Sequence, residues 1–178
     1  MRPQPESIIE QLGISHTVLT ARGLREYTEA RNLALAETGA DGREYLLIPA
    51  AAAAWRDLRA AATEDGAPMF LASAFRSVVR QNEIIREKLA AGLDIGEIIT
   101  VCAPPGFSEH HTGRAVDIVC PDVPDLQSEF EDTQAFQWLV RNAAHFGFTL
   151  SYPRGNAAGY QYEPWHWCFH DAASGLAA

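Results

Sequence analysis

Two short motifs in this sequence contain the side chains that a hydrolytic metal site needs. Residues 108–117 read SEHHTGRAVD and residues 163–166 read EPWH, so together they supply imidazoles and carboxylates. A catalytic zinc ion typically takes three protein ligands and leaves the fourth tetrahedral position to a water molecule. His110, Asp117 and His166 are of the right types to fill those three positions. The motifs therefore predict a zinc site with hydrolytic chemistry.

The residues around Asp117 strengthen this interpretation. Asp117 lies in the apolar stretch AVDIV at residues 115–119, which is typical of a buried strand, and Gly113 permits a tight turn between His110 and that strand. A carboxylate on such a strand is costly unless a cation neutralises it. Glu163 lies in the second motif and is of a type suited to removing a proton from zinc-bound water. We interpret Glu163 as the catalytic base.

The remaining histidines are weaker candidates for a metal site. His111 directly follows His110, and adjacent residues of a strand or turn point to opposite sides, so only one of the two can face the metal. The residues alone leave that choice open. His16, His145 and His170 have no partner at metal-ligand spacing and are expected to be surface or hydrogen-bonded histidines.

Helix and strand patterns surround the two motifs. Helices are predicted from apolar periodicity and from proline and glycine signals at residues 8–12, 23–37, 49–62, 78–91 and 133–146. Strands are predicted at the short apolar runs of residues 70–72, 115–119, 148–150 and 165–168. This order predicts an α+β fold in which a small antiparallel sheet carries the zinc site and is flanked by helices.

Length and composition limit the domain organisation and the partners. A chain of 178 residues with 47% hydrophobic composition and no repeat or linker predicts a single domain, residues 1–178. Within it we expect a helical N-terminal part, residues 1–69, and a core that carries the zinc motifs, residues 70–170. The net charge of -9 disfavours nucleic acid and anionic membrane surfaces and is compatible with a peptide substrate. No protein partner is evident.

The two motifs also carry a family resemblance. The pattern S-x-H-x-x-G-x-A-x-D followed by E-x-W-H resembles the zinc D-alanyl-D-alanine carboxypeptidases and dipeptidases of the VanY type, which belong to the LAS-type peptidoglycan metallopeptidases. Further similar stretches are SAFRS at residues 73–77 with Gln81, Trp138-Leu139, and GYQY at residues 159–162. The resemblance extends over roughly residues 70–170 and implies a hedgehog- or DD-peptidase-like fold.

The resemblance implies roles for individual positions. His110, Asp117 and His166 match the ligands of one zinc ion per chain, which favours His110 over its neighbour, and Glu163 matches the base that later gives a proton to the leaving amine. Arg76 matches a residue that pairs with the terminal carboxylate or with the oxyanion, and the planar guanidinium suits either role. Three more residues in matching segments are expected to hydrogen-bond the same carboxylate: Ser73, Gln81 and Ser108.

The predicted function is a zinc peptidase that removes a C-terminal D-amino acid from peptidoglycan stem peptides or other D-Ala-containing peptides. The pairing of zinc, water and Glu163 follows from the residues, whereas the D-amino-acid substrate is implied by the resemblance. Two alternatives stay open, an L-Ala-D-Glu endopeptidase of the same family and a catalytically silent zinc-binding module. Nitrogen and oxygen ligands of this kind also accept cobalt, nickel or manganese.

The sequence gives weaker indications of location. The first twenty residues lack a basic start followed by an apolar run, and no window is apolar enough to span a membrane. Cys102, Cys120 and Cys168 are an odd number, which argues against a disulfide framework. We expect small buried cysteines and a cytoplasmic protein, or a periplasmic or cell-wall protein if a leader has been removed.

Overall fold

A four-stranded antiparallel sheet is the centre of the fold. The computed structural model describes residues 5–171. Its six strands are β1 (Ala34–Thr38), β2 (Glu44–Leu47), β3 (Phe70–Ser73), β4 (Ala115–Val119), β5 (Phe148–Leu150) and β6 (His166–Phe169). The larger sheet has the order β3-β4-β6-β5, and β1 pairs with β2 in a separate antiparallel hairpin. The α+β class with small antiparallel sheets is confirmed.

Helices cover this sheet and the hairpin. Residues 5–171 include the α-helices α1 (Pro5–Gln11), α2 (His16–Ala21), α3 (Pro49–Glu64), α4 (Val78–Ala90), α5 (Ile95–Val101) and α6 (Gln134–Asn142). Single 3-10 turns lie at Glu109–Thr112, Ser128–Asp132 and Ala143–Phe146. Pro49 opens α3, where its missing N–H and fixed φ are suited to the first turn. None of the helices in the described part of the chain is long and apolar enough to cross a bilayer.

Strand β4 occupies an inner position of the sheet, and its register brings the two motifs together. All five of its residues are buried, which explains the continuous apolar pattern around Asp117. Asp117 pairs with Ser73 of β3 on one side and with His166 of β6 on the other. The sheet therefore places a carboxylate from one motif directly beside the imidazole of the other.

Two apolar clusters hold these elements. The larger one lies between the sheet, α3 and α6, and its fully buried members include Trp55, Met69, Ile118, Leu139 and Phe148. The second joins α1 and α2 to α4 and α5, with Ile9, Ile85 and Ile98 at its centre. The N-terminal helices therefore pack on the helices that follow β3, rather than on the sheet.

The helix predicted at residues 23–37 is wrong. Gly23 has a φ of 61° and ends α2, and the end of the predicted segment is strand β1. The turn at Gly39 to Gly42 returns the chain into β2, with Gly42 at a φ of 81°. Pairing with β2 and burial of Ala36 and Glu37 outweigh the helical propensity of this segment. The N-terminal part predicted at residues 1–69 is thus not purely helical, since its described residues, 5–69, contain a hairpin as well as helices.

The division into one domain of residues 1–178 stays a prediction. Its first four and last seven residues lie outside the described residues. The helices predicted at 49–62 and 78–91 correspond to α3 and α4, and the strands predicted at 70–72 and 148–150 correspond to β3 and β5.

Glu37 joins the hairpin to the core. This carboxylate is buried, accepts hydrogen bonds from Trp55 Nε1 (2.9 Å) and Leu71 N (3.2 Å), and lies 3.7 Å from Arg59 Nη1. Burial raises its pKa, opposed by Arg59 and by these two donors. One side chain thus connects β1, α3 and β3.

We expect Glu37→Ala to destabilise the protein, because two buried donors lose their acceptor. The free energy of unfolding should fall by about 1–3 kcal/mol, the usual cost of leaving a buried polar group unsatisfied. Urea unfolding followed by circular dichroism measures it. Glu44→Ala is the matched control, since Glu44 lies exposed on the partner strand of the same hairpin. Equal unfolding midpoints for the two variants would contradict this role of Glu37.

Candidate metal centre

Three side chains from distant parts of the chain meet at the candidate metal centre. His110 lies in a 3-10 turn, Asp117 in β4 and His166 at the start of β6. One ligand atom from each lies within 4.8 Å of the others, and all three residues are buried. Asp117 Oδ2 is 3.2 Å from His110 Nε2, and Asp117 Oδ1 is 3.0 Å from His166 Nδ1. Asp117 therefore lies between the two imidazoles.

The turn that carries His110 is fixed at both ends. Ser108 Oγ accepts a hydrogen bond from the His110 N–H (3.3 Å), and Gly113 ends the turn with a φ of 65°. His110 Nδ1 donates to the carbonyl oxygen of Ala74 (2.6 Å), an atom that can only accept. Nδ1 must then carry the ring proton, so Nε2 presents its lone pair to Asp117 and the candidate metal position.

The protonation of His110 and Asp117 fits a metal site. His110 Nε2 is buried and has no hydrogen-bond partner. Burial, reinforced by nearby Arg76, lowers the pKa of His110 to about 4, so the ring is neutral, as a ligand must be. Burial alone would raise the pKa of Asp117, but the two neighbouring histidines hold it well below its usual range. Two imidazole nitrogens and one carboxylate form a donor set typical of catalytic zinc.

His166 is held between two carboxylates. Its Nδ1 faces Asp117, and its Nε2 donates to Glu109 Oε2 at 2.9 Å. Burial would lower the pKa of His166, but the hydrogen bonds with Asp117 and Glu109 outweigh burial and raise it to about 10. His166 Nδ1 would hold a metal ion in place of that proton, since metal binding releases protons from its ligands.

Glu109 is a site residue that the sequence analysis missed. Its carboxylate also accepts a hydrogen bond from Ser151 Oγ (2.6 Å), so it is anchored while it holds His166. Burial opposes ionisation, but the bonds from His166 and Ser151 lower the pKa of Glu109. A carboxylate on the outer nitrogen of a ligand histidine fixes the ring and increases its basicity. The available signal was the position of Glu109 inside the first motif, next to His110.

Glu163 and Arg76 lie beside the three candidate ligands. Glu163 Oε2 is 3.8 Å from His166 Nδ1, and burial raises the pKa of Glu163 to about 7. Arg76 Nη2 is 3.5 Å from Asp117 Oδ2, while Arg76 Nε is buried without a hydrogen-bond partner. Both side chains line a small pocket, together with His110, His166 and Ser108.

The other predicted substrate-binding residues are placed differently. Ser108 lines the small pocket, and Ser73 lines a larger cleft of about 540 Å³ that shares Arg76 with it. Gln81 lies buried behind the pocket wall, where its Nε2 donates to the carbonyl oxygen of Ala103 (2.7 Å) and lies 3.1 Å from Cys102 Sγ. The Gln81 Oε1 atom has no hydrogen-bond partner. Only Ser108 of these three lies in the pocket itself.

The remaining histidines lie outside the metal group. His111 is buried, accepts from the Gly106 N–H at Nε2 (3.0 Å), and donates from Nδ1 to the Arg76 carbonyl (2.6 Å). It therefore supports the backbone of Arg76. His16, His145 and His170 are exposed. The three cysteines are free and buried, as expected, and Cys102 lines the small pocket.

The fold and the His-Asp-His group define the class of this protein, an α+β domain with a candidate metal site at its antiparallel sheet. Residues 44–172 match the family model described as "VanY: D-alanyl-D-alanine carboxypeptidase". The match covers more than half of the chain, and the chain belongs to this family. The family resemblance predicted from the motifs is confirmed.

Curated relatives share part of this sequence. A D-alanyl-D-alanine carboxypeptidase of Enterococcus faecalis is 35% identical over 122 residues, which cover 63% of this chain and 44% of that protein. A bifunctional D-Ala-D-Ala dipeptidase and carboxypeptidase of Enterococcus gallinarum, VanXYC, is 35% identical over 69 residues, 36% of each chain. The chain thus spans less than half the length of the curated relatives it matches.

Solved structures are similar over most of the chain. The LdcB LD-carboxypeptidase has a TM-score of 0.70 and 28% identity, covering 79% of this chain and 69% of that one. VanYB in complex with D-Ala-D-Ala has a TM-score of 0.65 and 28% identity, covering 84% of both chains. A vancomycin resistance D,D-pentapeptidase VanY variant in complex with Zn(II) has a TM-score of 0.61 and 29% identity, covering 79% of both chains.

We expect Gly113→Ala to damage the metal site through its backbone. Gly113 has a positive φ, and an added Cβ would lie 3.0 Å from Leu33 Cδ2 and 3.2 Å from the Ile48 backbone nitrogen. Gly155→Ala is the matched control, since Gly155 has a φ of 70° but nothing within 4 Å of its Cβ position. Both variants should lose about 1–2 kcal/mol of the free energy of unfolding, because alanine is unfavourable in the left-handed conformation. Gly113→Ala alone should also weaken zinc binding in a chelator competition, and equal zinc affinities would contradict this account.

We expect Glu109→Ala to weaken zinc binding because His166 loses the acceptor that orients its ring. The expected rise in the zinc dissociation constant is about 10- to 100-fold, typical of removing a carboxylate behind a ligand histidine. Competition with a chromophoric chelator measures this constant directly. Glu131→Ala is the matched control, because the Glu131 carboxylate pairs with Arg154 at the surface, 2.8 Å away. Unchanged affinity in Glu109→Ala would show that Glu109 does not support the metal ligand.

Proposed function

We propose that this protein is a zinc-dependent carboxypeptidase that removes the C-terminal D-amino acid, D-Ala in the simplest case, from peptidoglycan stem peptides. The observation that carries the proposal is the buried group of His110, Asp117 and His166, with ligand atoms within 4.8 Å and Glu163 beside it. Membership of the VanY family and relatives with carboxypeptidase names support it. We propose one zinc ion per chain, held by these three residues.

Glu163 is the proposed acid and base of the reaction. A zinc ion in such a site polarises a carbonyl and lowers the pKa of water. Glu163 then accepts the proton of the attacking water and transfers it to the nitrogen of the leaving D-amino acid. A carboxyl with a pKa near 7 is suited to both steps, because it gains and loses a proton near neutral pH.

Arg76 is the proposed partner of negative charge on the substrate. Its side chain lines both the small pocket and the larger cleft, so it reaches the two spaces that adjoin the metal group. A guanidinium keeps its charge and bonds a carboxylate through a planar fork. Ser108, in the same pocket, is proposed to hydrogen-bond the same substrate carboxylate through its hydroxyl. Ser73, from the cleft, and Gln81, from behind the pocket wall, are proposed to support binding of that carboxylate.

The two spaces favour a carboxypeptidase over an endopeptidase. The small pocket has a volume of about 40 Å³, whereas the cleft has about 540 Å³. Val101, Cys102 and Tyr160 limit the pocket. Such a pocket suits one small terminal residue, while the cleft has room for the preceding part of a peptide. An enzyme that cuts inside a peptide needs extended room for both products.

The test is product analysis by mass spectrometry after incubating the zinc-loaded protein with a muropeptide pentapeptide, its C-terminal amide, the tetrapeptide and D-Ala-D-Ala. We expect loss of one D-Ala from a free-acid stem. Glu163→Ala should reduce the rate by a factor of about 10²–10⁴ or more, the usual contribution of a general acid or base. Glu131→Ala should cleave at the rate of the unchanged protein, because Glu131 lies at the surface.

Other results would point to the alternatives. Internal cleavage of the amidated stem would indicate an endopeptidase. Absence of any cleavage, with stoichiometric zinc bound, would indicate a binding module and contradict the proposal. Loss of D-Ala from the tetrapeptide alone would make the enzyme an L,D-carboxypeptidase, as the name of LdcB says of that protein. The cytoplasmic or cell-wall location stays a prediction.

A further inference from the structure

The backbone of Arg76 is bonded along the turn that carries the two adjacent histidines. His110 Nδ1 donates to the Ala74 carbonyl, and His111 Nδ1 donates to the Arg76 carbonyl, both at 2.6 Å. The Arg76 N–H donates to the His110 carbonyl at 3.2 Å. The turn therefore holds Arg76 at both its N–H and its carbonyl.

The Arg76 side chain depends on this backbone for its position. Its Nη2 lies 3.5 Å from Asp117 Oδ2, at the limit of a hydrogen bond, and its buried Nε has no partner. A long side chain with such weak bonds at its tip keeps much of its rotamer freedom, so its location follows that of its Cα atom. A group that acts on a substrate must be held within about 0.5 Å of its productive position.

Both ring nitrogens of His111 are used in hydrogen bonds. The Gly106 N–H donates to Nε2 at 3.0 Å, so Nε2 accepts, whereas Nδ1 faces the Arg76 carbonyl and must donate. A neutral ring with its proton on Nδ1 satisfies both bonds at once. Because His111 is buried and both nitrogens are bonded, the ring is committed to the protein itself rather than to a metal or a substrate.

An extended segment of the N-terminal part supports the far side of this ring. The Tyr27 N–H donates to the Gly106 carbonyl, and the Ala30 N–H donates to the His111 carbonyl, both at 2.8 Å. The loop that bonds Nε2 and the backbone of His111 are thus both anchored. The ring can therefore hold Arg76 against a fixed support.

We propose that His111 is the positioning residue for Arg76, and that the bond from its Nδ1 fixes the place at which the guanidinium meets negative charge during the reaction. This inference rests on the proposed carboxypeptidase function, which assigns Arg76 to the substrate. The two adjacent histidines then have separate roles. His110 presents Nε2 to the candidate metal position, and His111 acts only through Arg76.

Two substitutions separate the two ends of the His111 ring. The side-chain amide nitrogen of asparagine lies close to the position of Nδ1, so His111→Asn keeps a donor for the Arg76 carbonyl and loses the acceptor for Gly106. The longer glutamine reaches the position of Nε2, so His111→Gln keeps the acceptor for Gly106 and loses the donor for Arg76. His145→Asn and His145→Gln are the matched controls, since His145 is exposed.

The first measurement is hydrogen exchange of the Arg76 amide in the zinc-loaded protein, followed by NMR. We expect exchange to be about tenfold or more faster in His111→Gln and to change by about threefold or less in His111→Asn, because local opening at Arg76 becomes easier only when its carbonyl loses its donor. The kcat/KM for a muropeptide pentapeptide should fall by the same factors. Melting temperature and zinc affinity should be equal in the two variants, since each loses one of two similar hydrogen bonds.

The outcomes separate this inference from a purely structural role and from the proposed function. Equal losses of kcat/KM in the two variants, a larger loss in His111→Asn, or no loss in either would overturn the inference. An unchanged exchange rate at Arg76 in His111→Gln would overturn it too, and so would a zinc affinity that falls in His111→Gln alone. Faster exchange at Arg76 in His111→Gln alone, in a protein that cleaves none of the stem peptides, would support the positioning of Arg76 by His111 and reject the proposed peptidase activity.

Discussion

The burial of the Asp117 carboxylate is the constraint on which the rest of the structure depends. An ionised carboxylate inside a sheet is strongly unfavourable unless charge and hydrogen bonds compensate it. Here the register of β4 with β6 brings the His166 imidazole to Asp117 Oδ1, and Arg76 approaches Oδ2 at 3.5 Å. Without a metal ion this compensation requires a protonated His166. A bound cation compensates Asp117 directly, so metal binding and folding of the sheet are expected to be coupled.

Three carboxylates around one centre take different roles because their surroundings differ. Asp117 lies between two imidazoles, which hold its pKa low, and Glu109 is stabilised as an anion by His166 and Ser151. Glu163 is mainly desolvated, and its pKa rises to about 7. Environments that separate the pKa values of neighbouring acids are a common basis for assigning acid–base roles. This difference supports Glu163, rather than Glu109, as the group that exchanges protons in the proposed reaction.

The sequence predicted the centre of this site better than its surroundings. His110, Asp117 and His166 were found because ligand types recur in short motifs and because a carboxylate on an apolar strand requires an explanation. Local periodicity failed at residues 23–37, where strand pairing with β2 decides the conformation. Arg22 carries no local signal, since its contacts join segments that are distant in sequence, as its bond to the carbonyl of Ala158 illustrates. Such residues become visible only when the fold brings their segments together.

The segment from Arg22 to Leu33, which precedes the family match, packs against the outside of the site. The Tyr27 N–H donates to the Gly106 carbonyl and the Ala30 N–H to the His111 carbonyl, both at 2.8 Å, so an extended strand-like segment is bonded along the ligand-bearing turn. Leu33 then packs where Gly113 has no side chain. Because Arg22 at the start of this segment also bonds the wall of the small pocket, the N-terminal residues contact both the ligand-bearing turn and that wall. These residues hold two loops of the core in fixed positions. A functional cleft built on loops needs such support to keep a precise geometry.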